Sequence, residues 1–386
     1  MDEKRKVPEI RFKGFTDEWQ SHSISEMTDE FKSGNAINSD EIKAVGKYPA
    51  FGGNGIRGYV NHYNHDGEYA LIGRQGALCG NMKYSKGRAY FTEHAIAVKG
   101  NKNSDTRFLY YCLGEMDLGM YSTQSAQPGL AVNMLADITA LFPSVEEQHK
   151  IKKVLSELDV LIEQQTHKYN KLQSLKQSLL QKMFPQAGAR VPEIRFQGFT
   201  GEWKEQRLGD IVESYSDPVE TPHDGYFRLG IRSHAKGTFH EYVPAGHELE
   251  TAQMHRVAAN KLIFNITFSW EHAVAITDEN DAGKLVSHRF PQFTLSEALC
   301  PEFLKYVILD ERFHHHLTLS SPGGAGRNRV LKLDEALNYK FRVPSPDEQH
   351  KIGAFFNKQD DIIAAEQQKL AKLQAVKQSL LAKMFV

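Results

Sequence analysis

Cysteine is nearly absent. Cys79, Cys112 and Cys300 are the whole complement in 386 residues, and none stands in a CxxC pair. A disulfide framework and a structural zinc site are therefore not expected, and a reducing cytosol fits, so a cytoplasmic location is expected. Long apolar runs are missing too. No stretch of about 18 apolar residues occurs, so no membrane span is expected. The opening MDEKRKVPEI is charged and leads into no apolar stretch, so no signal peptide is expected. A charge of one sign is also lacking: the formal net charge is −1 at pH 7. That counts against the basic domain usual in nucleic-acid binding. Residues 54–104 nonetheless hold seven Lys/Arg against three Asp/Glu, so one face can still be basic. Catalytic signatures are missing as well. There is no GxxxxGK[ST] phosphate loop, HExxH or GxSxG, and no (N/D)PP(Y/F) tetrapeptide of the amino-methyltransferase kind. His314–His316 are consecutive, so they point in different directions, and a solvated helix end is expected there rather than a metal site.

What the sequence does have is repetition. VPEIRFKGFTDEW at residues 7–19 returns as VPEIRFQGFTGEW at residues 191–203, identical at eleven of thirteen positions. EQHKI…SLLQKMF (147–184) returns as EQHKI…SLLAKMF (348–385), identical at 19 of 38 positions with an offset of 201. The period is far longer than the roughly 20–50 residues of a solenoid unit. It reads as a duplicated pair of domains. The fillings, about 20–142 and 204–343, differ in most of their sequence. Each shows short β-rich runs broken by Gly, Asn and Asp, as strands joined by tight turns do. Each also holds a Gly-bearing loop, STQSAQPGL or SSPGGAGRN.

The second repeated segment is helical. Apolar residues at three-four spacing place Ile151, Leu158, Leu161, Leu172, Leu175 and Leu179 on a coiled-coil seam, with Ile352, Phe355, Ile362, Leu373, Val376 and Leu380 in the second copy. Acidic first turns (Glu146, Glu147; Asp347, Glu348) suit helix N-termini, and Pro185 and Gly188 stop the first copy. The two helices are expected to pair within one molecule, antiparallel, with the fillings at opposite ends. The alternative is that each helix packs only on its own globular domain. His149 and His350 recur within EQHKI and are expected to make helix-entrance contacts rather than to act as acid or base.

Two variable fillings alternate with two repeated helices, and YPAFGGNGIRGYV, LIGRQGALCGN and SAQPGL fill the first. Over essentially its whole length the chain closely resembles the specificity subunit of type I restriction-modification systems. The resemblance implies an α+β fold with a pseudo-twofold internal repeat. Two target recognition domains, each a β-rich α/β globule, alternate with two long helices that pair as an antiparallel coiled coil. The expected boundaries are a first recognition domain at 1–145, a central helix at 146–184, a linker at 185–190, a second recognition domain at 191–346 and a C-terminal helix at 347–386. It further implies double-stranded DNA, two methyltransferase subunits and restriction subunits as partners, with no membrane. No cofactor is expected on this chain. S-adenosylmethionine, and for cleavage ATP and Mg, belong to the partner subunits. No catalytic residue is expected. The alternative is a stand-alone pseudo-dimeric DNA-binding regulator, which would bind DNA tightly by itself.

Base edges are read by Arg, Lys, Asn and Gln, and most remaining contacts go to phosphates. In the first domain the candidates are Asn54, Arg57, Arg74, Gln75, Lys83, Lys86 and Arg88, with Ser125 and Gln127 in the Gly-bounded loop. In the second they are Arg228, Arg232, His234, Lys236, Asn265, Thr267, Ser269, Trp270, Arg289, Arg327, Asn328 and Arg329. For each one the alternative is a solvated loop or strand-end residue; for Trp270 it is burial in the core.

Overall fold

Apolar runs of four to six residues between glycines need cover on both faces, and the computed structural model shows what covers them. It describes residues 6–76, 78–122, 129–249, 251–323 and 329–386. The chain divides into unit 1, Met1–His167 with Gln367–Val386, and unit 2, Lys168–Glu366.

Unit 1 contains β1 (Gln20–Ser23), β2 (Thr28–Ser33), β3 (Tyr48–Gly52), β4 (Gly55–Val60), β5 (Glu68–Gly73), β6 (Met82–Lys86), β7 (Tyr90–Phe91), β8 (Ala95–Gly100), α1 (Thr106–Gly114), α2 (Val132–Ala136), β9 (Thr139–Phe142) and the start of α3 (Val145–Met183). Its sheets are β2-β8-β5-β6, β4-β3-β7 and the pair β1-β9. Strand side chains alternate between faces. On β5, Ala70 and Ile72 therefore join Phe108 and Leu109 of α1, while Tyr69 and Leu71 join Phe51 and Phe91 of the second sheet.

Unit 2 contains β10 (Lys204–Arg207), β11 (Val212–Tyr215), β12 (Pro218–Glu220), β13 (Tyr226–Ile231), β14 (Thr238–Val243), β15 (Gln253–Arg256), β16 (Lys261–Phe264), β17 (Val274–Ile276), β18 (Leu285–Val286), β19 (Gln292–Leu295), α4 (Pro301–Val307), α5 (Glu311–Leu319), α6 (Leu333–Ala336), β20 (Lys340–Val343) and the start of α7 (Pro346–Met384). Its sheets are β11-β19-β16-β17, β12-β15-β18-β13-β14 and the pair β10-β20. The same device covers β16: Leu262 and Phe264 face Phe303 of α4, and Ile263 faces Leu229 and Val286. The fold class is α+β, as the sequence implied.

The repeated segments meet inside each unit, and they meet in the same way. In unit 1 the guanidinium of Arg11, from the opening motif, grips Glu147 of α3 through two bonds of 2.7 and 2.9 Å. In unit 2 Arg195 grips Glu348 of α7 through two bonds of 2.7 Å. The next residue of EQHKI pins the helix start to its own globule. Gln148 accepts from the Asp105 N–H and donates to the Pro143 carbonyl, and Gln349 does the same with Cys300 and Pro344. The last turns of the other helix complete each unit. Phe385, directly after α7, packs on Trp19 and Phe108 in unit 1, and Phe184, directly after α3, packs on Trp203 and Phe303 in unit 2. The Ile10 and Ile194 N–H groups donate to the Lys383 and Lys182 carbonyls, both at 2.9 Å. One of the two differences between the opening motifs has a local cause: Gly201, at φ 83°, turns its carbonyl onto Arg195 at 2.7 Å, where unit 1 has Asp17.

α3 and α7 are each 39 residues long. Within unit 1 the last turns of α7 lie against the first turns of α3; within unit 2 the last turns of α3 lie against the first turns of α7. Each crossing is therefore antiparallel. The inward stripe runs Ile151, Leu155, Leu158, Ile162, Gln165, Tyr169, Leu172, Lys176, Leu179, Met183 on α3, and Ile352, Phe356, Gln359, Ile363, Glu366, Leu370, Leu373, Lys377, Leu380, Met384 on α7. This corrects the phase expected from the sequence. Leu161, Leu175 and Val376 are 48, 48 and 49% exposed and lie beside the stripe. Phe355 and Ile362 also fall one position out of phase, though both are half-buried.

The lysines on the stripe are compensated. In unit 1 Lys377 meets Asp159 at 2.5 Å, and Asp159 also accepts from Tyr111 at 2.5 Å and Arg107 at 2.6 Å. In unit 2 Lys176 meets Asp360, which accepts from Tyr306 at 2.7 Å. Burial alone would raise the Asp159 carboxyl, but hydrogen bonds from Lys377 and Tyr111 outweigh it and hold Asp159 below its usual value. A depressed folded pKa contributes stability that is present above the unfolded value, about 3.9, and is lost as pH falls through the folded one. Asp159→Asn should therefore destabilise the chain at pH 7, with a deficit that shrinks as the medium is acidified below about pH 4. Urea titrations of both forms across that range check this; a deficit that stays constant with pH would exclude the carboxylate as its source.

Candidate nucleic-acid interface

In unit 1 four glycines let loops and side-chain stems close on one another. A Cβ on Gly73 would lie 2.2 Å from the Gly53 carbonyl oxygen, so the β3–β4 turn sits hard against the end of β5. Asn54 is the exposed tip of that turn, and Arg74 and Gln75 follow directly from β5. The stem of Arg57 lies over Gly52, and that of Lys83 runs past Gly55. Asn54, Arg57, Arg74, Gln75 and Lys83 are thus gathered at one end of the sheets. Arg74 is the brace of this group: its backbone carbonyl holds the Leu130 N–H at 2.9 Å, and its guanidinium points to the Leu130 and Glu93 carbonyls at 3.4 and 3.5 Å. The other four are more open. Lys86 and Arg88 lie at the opposite end of β6. They are tied to Glu68 at 2.9 Å and Asp66 at 3.0 Å, and Arg88 also covers Tyr63. Ser125 and Gln127 lie outside the described residues.

In unit 2 the candidates fall on four segments. Arg228 on β13 faces Glu241 on β14 at 2.5 Å. The β13–β14 loop carries Arg232, His234 and Lys236. Arg232 donates to the Thr238 carbonyl and covers the Phe239 ring. His234 and Ala235 take positive φ, 62° and 49°, and their N–H groups bind the Glu271 and His272 carbonyls at 2.7 and 2.8 Å. That anchors the loop to the turn after β16. There Asn265 accepts the Thr267 N–H through its side-chain oxygen at 3.2 Å. Ser269 is fully buried, its hydroxyl donating to the Asn265 carbonyl at 2.8 Å, so it acts inside the turn and not at the surface. Trp270 is half-buried, donates to the Thr267 carbonyl at 3.1 Å and lies under the guanidinium of Arg329. Arg289 is exposed and holds the Ile266 N–H through its carbonyl at 3.0 Å. Arg327 and Asn328 lie outside the described residues.

Arg228, Asn265 and Arg289 open onto one cleft of about 630 Å³. Phe239, Phe268, Glu271 and His288 also line it, and the sequence reading missed all four. The three consecutive histidines do diverge: His314 stacks on His272, and His316 reaches the Glu335 carbonyl at 2.9 Å. Among the described residues no group of three or more His, Cys, Asp or Glu side chains could hold a metal ion, and no helix is long and apolar enough to cross a membrane.

Comparison with known proteins matches residues 16–174 to the family described as Type I restriction modification DNA specificity domain. The type I restriction enzyme EcoprrI specificity subunit of Escherichia coli is 49% identical over 114 residues, which cover 30% of this chain and 28% of that protein. A putative type I restriction enzyme specificity subunit of Haemophilus influenzae is 25% identical over 164 residues, 42% of each chain. The chain thus spans less than half the length of these curated relatives. The crystal structure of a type I restriction-modification system S subunit from M. genitalium superposes with a TM-score of 0.69 at 16% identity, covering 98% of this chain and 99% of that one, and so shares its fold. Residues 16–174 thus match the type I restriction modification DNA specificity domain, and the chain along its length has the fold of a type I restriction-modification S subunit.

Proposed function

We propose that this chain sets the DNA sequence specificity of a type I restriction-modification complex and performs no chemistry itself. Each unit's divergent filling reads one half of a bipartite double-stranded target. The repeated frame receives two methyltransferase subunits, and restriction subunits join that assembly. S-adenosylmethionine would be held by the methyltransferase subunits, and ATP and Mg by the restriction subunits. The observation that carries this reading is the duplicated Arg–Glu, Gln and Phe–Trp contacts around two unlike fillings. Identical partners need like docking surfaces, whereas two half-sites need unlike readers. The half-site centres are expected about one helical turn of DNA apart, the spacing at which paired readers share one face. With little net charge on this chain, much of the salt-sensitive phosphate contact would come from the partner subunits.

Single-molecule sequencing of methylated adenine tests this in cells that carry the cognate methyltransferase subunit, with and without the chain. A split motif that appears only with the chain is the expected result. Exchanging residues 20–142 for those of another family member should change one half-site and leave the other intact. Both halves changing together would defeat the modular reading. Absence of any chain-dependent motif, with tight salt-resistant DNA binding by the chain alone, would favour a stand-alone regulator.

A further inference from the structure

The cleft of unit 2 is built for more than the edge of a stacked base pair. Phe268 is 43% exposed at its rim, and its ring meets no other aromatic ring or cation among the described residues. The Phe239 ring, by contrast, is already occupied: it lies against Gly230 and under Arg232. The polar groups near Phe268 are partly committed, which defines what remains. The side-chain oxygen of Asn265 is engaged by the Thr267 N–H, so its amide NH₂ is left as the donor. One oxygen of Glu271 accepts the Ser233 hydroxyl at 2.6 Å, which leaves the other as an acceptor. A carboxylate repels phosphate but accepts well from a base N–H. Arg289, exposed on the same cleft, supplies the positive charge that a phosphate needs. The volume, about 630 Å³, lies within the usual range of small-ligand sites.

We propose that this cleft takes a single nucleobase out of the helical stack, with its face on Phe268, its polar edge between the Asn265 amide and the Glu271 carboxylate, and its phosphate toward Arg289. The proposal rests on the DNA-reading function above and adds that the second unit reads one position extrahelically. Open aromatic rings beside hydrogen-bonding groups are the usual means of holding unstacked bases.

The test titrates the full-length chain with each of the four 2′-deoxynucleoside 5′-monophosphates, and separately with duplex DNA carrying the methylated motif. At least one monophosphate should bind. Phe268→Ala should weaken it by roughly 5- to 150-fold, the range that loss of base–aromatic stacking gives, and Phe268→Trp should restore it. Glu271→Gln should change which base is preferred. Phe268 is exposed, so Phe268→Ala should keep the unfolding transition of the parent chain, and that is measured alongside. A chain that binds the duplex but no monophosphate, or equal monophosphate binding by Phe268→Ala, would overturn the extrahelical site alone. Loss of duplex binding and of any chain-dependent methylation would overturn the DNA-reading function with it.

Discussion

Replacing Arg11 by methionine is expected to destabilise unit 1 by about 3–5 kcal/mol, the usual effect of stranding one partner of a buried ion pair. Glu147 is only 1% exposed, and both of its oxygens are bound by Arg11. Removing the guanidinium leaves a carboxylate at the start of α3 with neither water nor a counter-charge. Arg195→Met should do the same to unit 2, and somewhat more, since Arg195 also holds the Gly201 carbonyl at 2.7 Å. The double change Arg11→Met with Glu147→Leu should recover most of the loss, because a buried pair replaced by apolar groups is often neutral. Denaturant unfolding of the three variants gives the answer. A single-variant loss below about 1 kcal/mol, the scale of an exposed pair, would mean that this contact only decorates the interface.

Deleting residues 380–386 is expected to open unit 1 while leaving unit 2 folded. The deletion removes Leu380, Leu381, Met384 and Phe385 from the unit 1 core, together with the Lys383 carbonyl that receives the Ile10 N–H. Losing one large buried side chain costs about 2–5 kcal/mol. Several at once approach the whole stability of a domain, about 5–15 kcal/mol. Unit 2, Lys168–Glu366, contains none of the deleted residues. Limited proteolysis with mass mapping should show cuts across residues 20–142 and protection across 204–343. Equal resistance of both segments would show that the terminal turns are dispensable.

The frame was legible in the sequence because it is written twice. Shared EQHKI and KMF ends delimit helices that the structure draws at Val145–Met183 and Pro346–Met384. The phase of those helices was not legible. Leu161 and Ile162 are adjacent and equally apolar, and Lys176 and Lys377, which each meet an aspartate from the facing helix, add nothing to an apolar pattern. The one available signal was that both the Asp159/Asp360 and the Lys176/Lys377 pairs are unchanged between the repeats. Among the candidate readers, glycine spacing brought Asn54, Arg57, Arg74, Gln75 and Lys83 together, because close backbone approach at Gly53 and Gly73 is a local property. Phe268 and Glu271 carried no such mark. Their cleft is made by strands and loops from residues 228 to 290, and no short window of sequence describes it.

The shared use of α7 also bears on how the chain is made. Most of unit 1 precedes unit 2 in the chain, yet unit 1 needs Gln367–Val386 to close its core, whereas unit 2 is one unbroken segment. At a synthesis rate of about 5–20 residues per second, the roughly 200 residues after His167 keep unit 1 waiting for about 10–40 s. Throughout that interval the Trp19 and Phe108 rings lack Phe385. The first-made half is therefore the last to finish, and a ribosome stalled anywhere in the second half leaves it exposed to chaperones and proteases.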